Sequence, residues 1–159
     1  MFTVGILTIS DRSHRGERRD ESGPAIRECL ASLNVQVVKY EVVPDDKDMI
    51  ANTLRQWADG NGIDLILTTG GTGLAPRDVT PEATLAVVER MAPGFAEAIR
   101  AASLSLTPHA MLSRAVGGIR KRSLIINLPG SPRAVREGLE VILPALPHAI
   151  ETLRGESRE

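Results

Sequence analysis

The chain has a single cysteine, Cys29, among 159 residues. One thiol cannot close an intrachain disulfide, which excludes a cystine-stapled secreted scaffold and fits a reducing compartment. Cys29 also falls on the apolar stripe of an amphipathic helix, Ile26, Cys29, Leu30 and Leu33, so it reads as core packing and not as a nucleophile. Aromatic residues make up 3% of the chain, which leaves little to stack on a flavin ring. No apolar run approaches the ~20 residues of a membrane span. The N-terminal MFTVGILTIS has neither a basic leader nor a small-residue cleavage site and reads as a strand. A cytoplasmic protein is expected. An excess of one charge is missing too: 19 Lys and Arg against 20 Asp and Glu give a net charge of -1, whereas a general nucleic-acid binder is normally basic. His14, His109 and His148 show no paired ligand spacing, which argues against a zinc site.

What is present is ordinary globular material, 42% hydrophobic and 25% charged. The length suits one domain, residues 1–159, able to bury about 70% of its unfolded surface; residues 155–159 form a polar tail. Thr3 to Ile9 is a buried strand, followed by a charge-dense loop from Asp11 to Glu21. That loop is either a solvated connection or a lid over an anionic substrate. A helix starts at Pro24. Val35 to Val43 alternates around Lys39 and Glu41, as a strand near a sheet edge does. Pro44-Asp45-Asp46 precedes a helix with the stripe Ile50, Thr53, Leu54 and Trp57, and Asp45 is a candidate N-cap for it. A further helix begins near Pro93-Gly94, with Phe95, Ala98, Ile99 and Ala102 inward. Arg114 to Ile119 and Ser123 to Leu128 read as two strands around the basic turn Arg120-Lys121-Arg122. Ser131-Pro132 makes a cap and first-position pair for a helix carrying Val135, Leu139 and Ile142. A last helix shows Leu146, Ala149, Ile150 and Leu153.

The centre of the chain is IDLILTTGGTGLAPRDVTPEA, Ile63 to Ala83. A short apolar run, a glycine turn and a helix start at Thr80-Pro81 follow one another, with Thr80 expected as the N-cap. Glycines let backbone N–H groups approach a phosphate, and a helix start adds partial positive charge. No Lys follows the glycines, so this is not a P-loop, and Pro76 stands where a dinucleotide fingerprint needs glycine or alanine. A tight turn that merely needs glycines is the plain alternative.

Strands alternating with helices predict a three-layer α/β/α fold around a mainly parallel sheet with one antiparallel edge strand. Four motifs each follow a strand: Ser10-Asp11, Pro44-Asp45, Gly70 to Asp78, and Pro129-Gly130-Ser131. In an open parallel sheet the strand carboxyl ends share one edge, where ligands bind. The motifs are therefore expected to form one site. Its side chains are Asp, Ser, Thr and Arg, and no base stands beside Ser10 or Ser131 to activate a nucleophile. Carboxylates beside phosphate-cradling glycines fit Mg²⁺-assisted phosphoryl or nucleotidyl transfer.

The run GGTGLAPRDVTPEATLAVVE resembles the signature of the molybdenum-cofactor biosynthesis family MogA/MoaB, which includes the G domain of gephyrin. TISDR (8–12), VPDD (43–46), MAPGFAEAIR (91–100) and AMLSRAVGGIRKRSLIINLPGSP (110–132) resemble it in the same order. The RDVTPEATLAV run and the LSR-x-VG-x-IRK spacing are most similar to the adenylyltransferase branch. The resemblance implies transfer of AMP from ATP to the terminal phosphate of molybdopterin, with release of pyrophosphate. It marks Asp45 and Asp78 as catalytic, with both facing Mg²⁺. It implies a substrate site from Ser10, Asp11, Thr69, Gly70, Gly71, Thr72, Gly73, Arg77, Thr80, Pro129, Gly130 and Ser131. It further implies a homotrimer and hand-over of the product to a molybdate-inserting protein. The alternatives are a MoaB-like binder of molybdopterin without efficient transfer and a non-enzymatic trimeric scaffold.

Overall fold

The fold follows from three apolar strands that are buried on both faces. A computed structural model describes residues 1–156. The part of the polar tail beyond Glu156 lies outside the described residues. Strands β1 (Phe2–Ile9), β3 (Leu65–Thr69) and β6 (Ser123–Leu128) form the centre of the sheet. Their side chains alternate between two cores. Val4 and Ile6, Leu65 and Leu67, and Leu124 and Ile126 join one cluster. Leu7, Ile66 and Ile125 join the other. A period of two on strands covered from both sides is why these runs are apolar throughout.

The first face is covered by α2 (Ser22–Leu30), α5 (Gly94–Leu104), α6 (Pro132–Ile142) and α7 (Leu146–Leu153), through Ile26, Leu30, Ile99, Val135, Leu139 and Ile150. The second is covered by α3 (Lys47–Arg55) and α4 (Thr80–Leu85), with Ile50, Leu54, Trp57 and Ala83. Gly5 makes room for Trp57, since a Cβ there would sit 2.8 Å from the indole ring. Cys29 packs partly buried against the first core, as its helical position requires.

The sheet order is β2-β1-β3-β6-β5-β4, with β2 (Val35–Val43), β1, β3 and β6 parallel. β2 is an edge strand with most of its length exposed. At the other edge β5 (Gly117–Arg120) runs antiparallel to β6, and the two-residue β4 (Arg90–Met91) pairs outside it. That edge therefore holds one strand more than expected, because two exposed residues carry no periodic signal.

Several local expectations are corrected. Asp11–His14 is one helical turn, α1, capped by Ser10 Oγ, which accepts from the Ser13 N–H. Helix α2 starts at Ser22, ahead of Pro24. Ala98 is exposed, and Ala96 takes its place on the inner face of α5. Residues 114–116 stay out of the β5 ladder. Thr80 does not cap α4: it is the first helical residue, and its hydroxyl donates instead to Gly70 O at 2.9 Å. Ser131 does cap α6, accepting from the Ala134 N–H at 3.1 Å.

Candidate active site

Strand register decides where the four motifs meet. Ile9 pairs with Val43, Thr8 with Thr69, and Thr69 with Leu128. Ser10, Pro44, Gly70 and Pro129 are the residues that immediately follow these strand ends. They emerge side by side along one edge, at the carboxyl ends of four parallel strands. A cleft of about 320 Å³ opens there, bordered by Ser10, Asp45, Thr69, Gly70, Gly71, Asp78, Gly130 and Ser131.

The glycine loop is shaped by backbone conformations that glycine alone adopts easily. Gly70 and Gly71 have φ of +98° and +68°. A Cβ on Gly70 would run into Ile9 O, and one on Gly71 into Thr80 Oγ1. Gly130 packs on Gly70, 3.4 Å from its Cα when given a Cβ. Thr69 Oγ1 donates to Pro129 O, which stitches the β3 and β6 loops together. Among the described residues, the N–H groups of Gly71, Thr72, Gly73, Gly130 and Ser131 have no protein acceptor. The cleft is thus bordered by two loops with free donors, the arrangement that receives phosphate oxygens.

Asp45 is not a helix cap; Asp46 fills that role, accepting from the Met49 N–H at 2.9 Å. Asp45 instead exchanges hydrogen bonds with Asp11. The Asp11 N–H donates to Asp45 Oδ2, and the Asp45 N–H donates to Asp11 Oδ1, both at 2.9 Å. Arg77 clamps Asp11 with two bonds, Nε to Oδ2 at 2.6 Å and Nη2 to Oδ1 at 2.9 Å. This guanidinium holds the Asp11 carboxyl down at about 2, well below the ordinary carboxylate range. Asp45 moves the other way: burial raises its carboxyl, and the nearby Asp11 and Asp78 carboxylates add to the rise. Asp78 borders the same cleft, its Oδ2 accepting from the Ala75 N–H at 2.9 Å.

Not every expected residue faces the cleft. Asp11 and Arg77 are engaged with each other beside it. Thr72, Gly73, Thr80 and Pro129 shape the loops through main-chain and hydroxyl contacts and do not border it. Conversely, Arg18 and Arg19 do border it, which fits the lid reading of the 11–21 loop. Asp20 anchors that loop. Its carboxylate accepts from Thr8 Oγ1, Tyr40 Oη and the N–H groups of Ser22 and Gly23. Burial, followed by this carboxylate, pushes the Tyr40 phenol up to about 12. Nothing in the sequence paired Asp20 with Tyr40, since the contact crosses from a loop to an edge strand.

The raised Asp45 carboxyl has a consequence for stability. A carboxyl whose folded pKa lies above its unfolded value favours folding while protonated, and that contribution is lost as pH rises through the folded pKa. At neutral pH charged Asp45 is therefore a cost. Asp45→Asn keeps an acceptor for the Asp11 N–H and removes the charge. Its melting temperature is expected to exceed wild type at pH 7–8, with the gap closing toward acid. A variant less stable than wild type at pH 8, with a gap independent of pH, would contradict this.

Comparison with known proteins gives the family. Residues 5–148 match the family described as a probable molybdopterin binding domain. The chain is 47% identical over 154 residues to the molybdopterin adenylyltransferase of Helicobacter pylori J99, covering 96% of this chain and 88% of that protein. It is 43% identical over 166 residues to the molybdopterin adenylyltransferase of Escherichia coli K12, covering 96% and 85%. The crystal structure of the molybdopterin biosynthesis enzyme MoaB from Thermus thermophilus superposes with a TM-score of 0.94 at 56% identity, over the full length of both chains. The three-layer fold and the resemblance of the motifs both hold, and the chain belongs to the family of probable molybdopterin-binding domains that includes these biosynthesis enzymes.

Proposed function

We propose that this chain, acting as a single domain, is a molybdopterin adenylyltransferase. The observation that carries the reading is the meeting of Asp45 and Asp78 with two donor-rich loops across one cleft. In the reaction, a terminal phosphate oxygen of molybdopterin attacks the α-phosphorus of ATP. A new P–O bond forms as the bond from the α-phosphorus to the bridging oxygen breaks, and pyrophosphate leaves with that electron pair. The free N–H groups of Gly71, Gly130 and Ser131, which border the cleft, hold phosphate oxygens, and Arg18 and Arg19 offset their charge. Thr69 and Thr80, by tying the loops to each other and to Gly70 O, hold both phosphoryl groups in line.

Two carboxylates facing polyphosphate would repel it; burial first, and then the Asp11 and Asp78 charges, already raise the Asp45 carboxyl. Among the described residues, no three His, Cys, Asp or Glu side chains gather at metal-binding distances. Asp45 and Asp78 border one cleft, and two carboxylates beside phosphate oxygens suit Mg²⁺, which binds through one or two carboxylates plus substrate phosphates and water. Asp45 and Asp78 would hold it, and it would neutralise charge on the transferring group.

The test is incubation with molybdopterin, Mg²⁺ and ATP labelled at the α-phosphate; label is expected on the pterin. Molybdopterin binding without label transfer would favour the MoaB-like binding reading. We place the protein in the cytoplasm, consistent with the finding that no described helix is long and apolar enough to cross a membrane, and without nucleic-acid partners. Its adenylylated product passes to a molybdate-inserting protein. Exposed Leu104, Leu106, Met111 and Leu112 around the end of α5 support a homotrimer. Light scattering should give three times the 17.1 kDa chain mass; a monomer mass at micromolar concentration would exclude the trimer.

A further inference from the structure

The glycine loop has little to hold it. Within the loop, the Asp78 N–H donates to Ala75 O, and the Ala75 N–H to Asp78 Oδ2. Beyond the Arg77–Asp11 pair, every hydrogen bond that reaches residues 72–78 from outside the loop and its helix, among the described residues, comes from Arg114. Its N–H donates to Thr72 O at 2.8 Å. Its guanidinium donates through Nε to Gly73 O at 2.8 Å, through Nη2 to Asp78 O at 2.7 Å, and through Nη1 to Glu82 Oε2 at 2.7 Å.

One planar fork thus brackets the loop at both ends, Gly73 and Asp78, and ties it to the first turn of α4. Arg114 is itself fixed from behind: Arg100 Nη1 on α5 donates to Ala115 O at 2.8 Å. Arg114 does not border the cleft. It grips the main chain of Asp78, whose carboxylate does border it. Arginine suits this task because five donors are held in a rigid plane; a lysine ammonium is a compact point charge on a flexible stem and cannot span the same acceptors.

We infer that Arg114 is a positioning residue: it sets the main chain of residues 73–78 and thereby holds the Asp78 carboxylate at the cleft. The kinetic part of this inference rests on the transferase reading; the structural part does not. Two measurements on Arg114→Lys separate them. In amide hydrogen exchange the protection of the Ala75 and Asp78 amides, the two in the loop with acceptors among the described residues, is expected to fall while β3 and α6 keep theirs. In single-turnover assays AMP transfer is expected to drop on the order of 10- to 100-fold, the scale of a small misplacement of a catalytic group, with molybdopterin affinity and melting temperature near wild type. Because Arg114 acts through Asp78, Arg114→Lys is expected to cost little further in an Asp78→Asn background. Unchanged exchange at the Ala75 and Asp78 amides overturns the inference. So does near-wild-type transfer by Arg114→Lys, which would reduce Arg114 to a charge partner of Glu82, and so does a loss that adds in full to that of Asp78→Asn. If wild type itself transfers no AMP, the transferase reading fails, and the exchange experiment alone decides what Arg114 does.

Discussion

Asp78→Asn and Asp45→Asn are expected to fold normally, bind molybdopterin and lose adenylyl transfer by on the order of 100-fold or more, which matches the ~3 kcal/mol of one electrostatic stabiliser. Asn preserves the shape of Asp and its acceptor oxygen. At position 45 it can still accept from the Asp11 N–H, and at position 78 from the Ala75 N–H. What it removes is the negative charge that would face a metal-bound triphosphate. The structure supplies a control: Asp46, the actual cap of α3, tolerates Asn because the two cap equally well. Asp46→Asn should be nearly silent in the same single-turnover assay. Near-wild-type turnover in Asp45→Asn would confine Asp45 to structure and leave Asp78 without its partner.

Gly71→Val is expected to abolish binding of ATP and molybdopterin, measured by titration calorimetry. At φ +68° a β-branched residue is strained by about 1–3 kcal/mol. Its Cβ also occupies the place of Thr80 Oγ1, so the hydroxyl must release Gly70 O. Loop geometry and free N–H donors are lost together. From the residues alone this substitution would leave the fold intact. The Thr80 contact adds a stability cost, and a fall in melting temperature on the order of 5 °C is expected for a domain of this size. Binding at wild-type affinity would show that the 70–73 loop is not the phosphate cradle.

The layered architecture, and the sheet edge that carries the candidate site, were legible in the residues alone. Val4, Ile6, Leu65, Leu67, Leu124 and Ile126 announce buried strands, because a strand covered on both faces has no position that tolerates water. Ser131 and Pro132 announce the start of α6, because a cap acts on an N–H three residues away and needs no distant partner. Once the strands are parallel and in register, the residues after their ends must share an edge. Asp45, Asp78 and the glycines were legible for that reason.

How those residues are held was legible only in the folded chain. Thr80 has the composition of a cap, yet its hydroxyl went to Gly70 O, which satisfies a loop carbonyl instead of a helix N–H. Arg77 looks like a phosphate ligand and is engaged with Asp11, 66 positions away in sequence. Arg114 reads as the first residue of a strand and instead grips Gly73 and Asp78. Asp20 in the charged loop finds Tyr40 on the edge strand. A local signal exists where the partners are a few residues apart along one helix or strand. Pairings across tens of residues depend on which loop the folded sheet brings within about 3 Å, and no spacing along the chain encodes that.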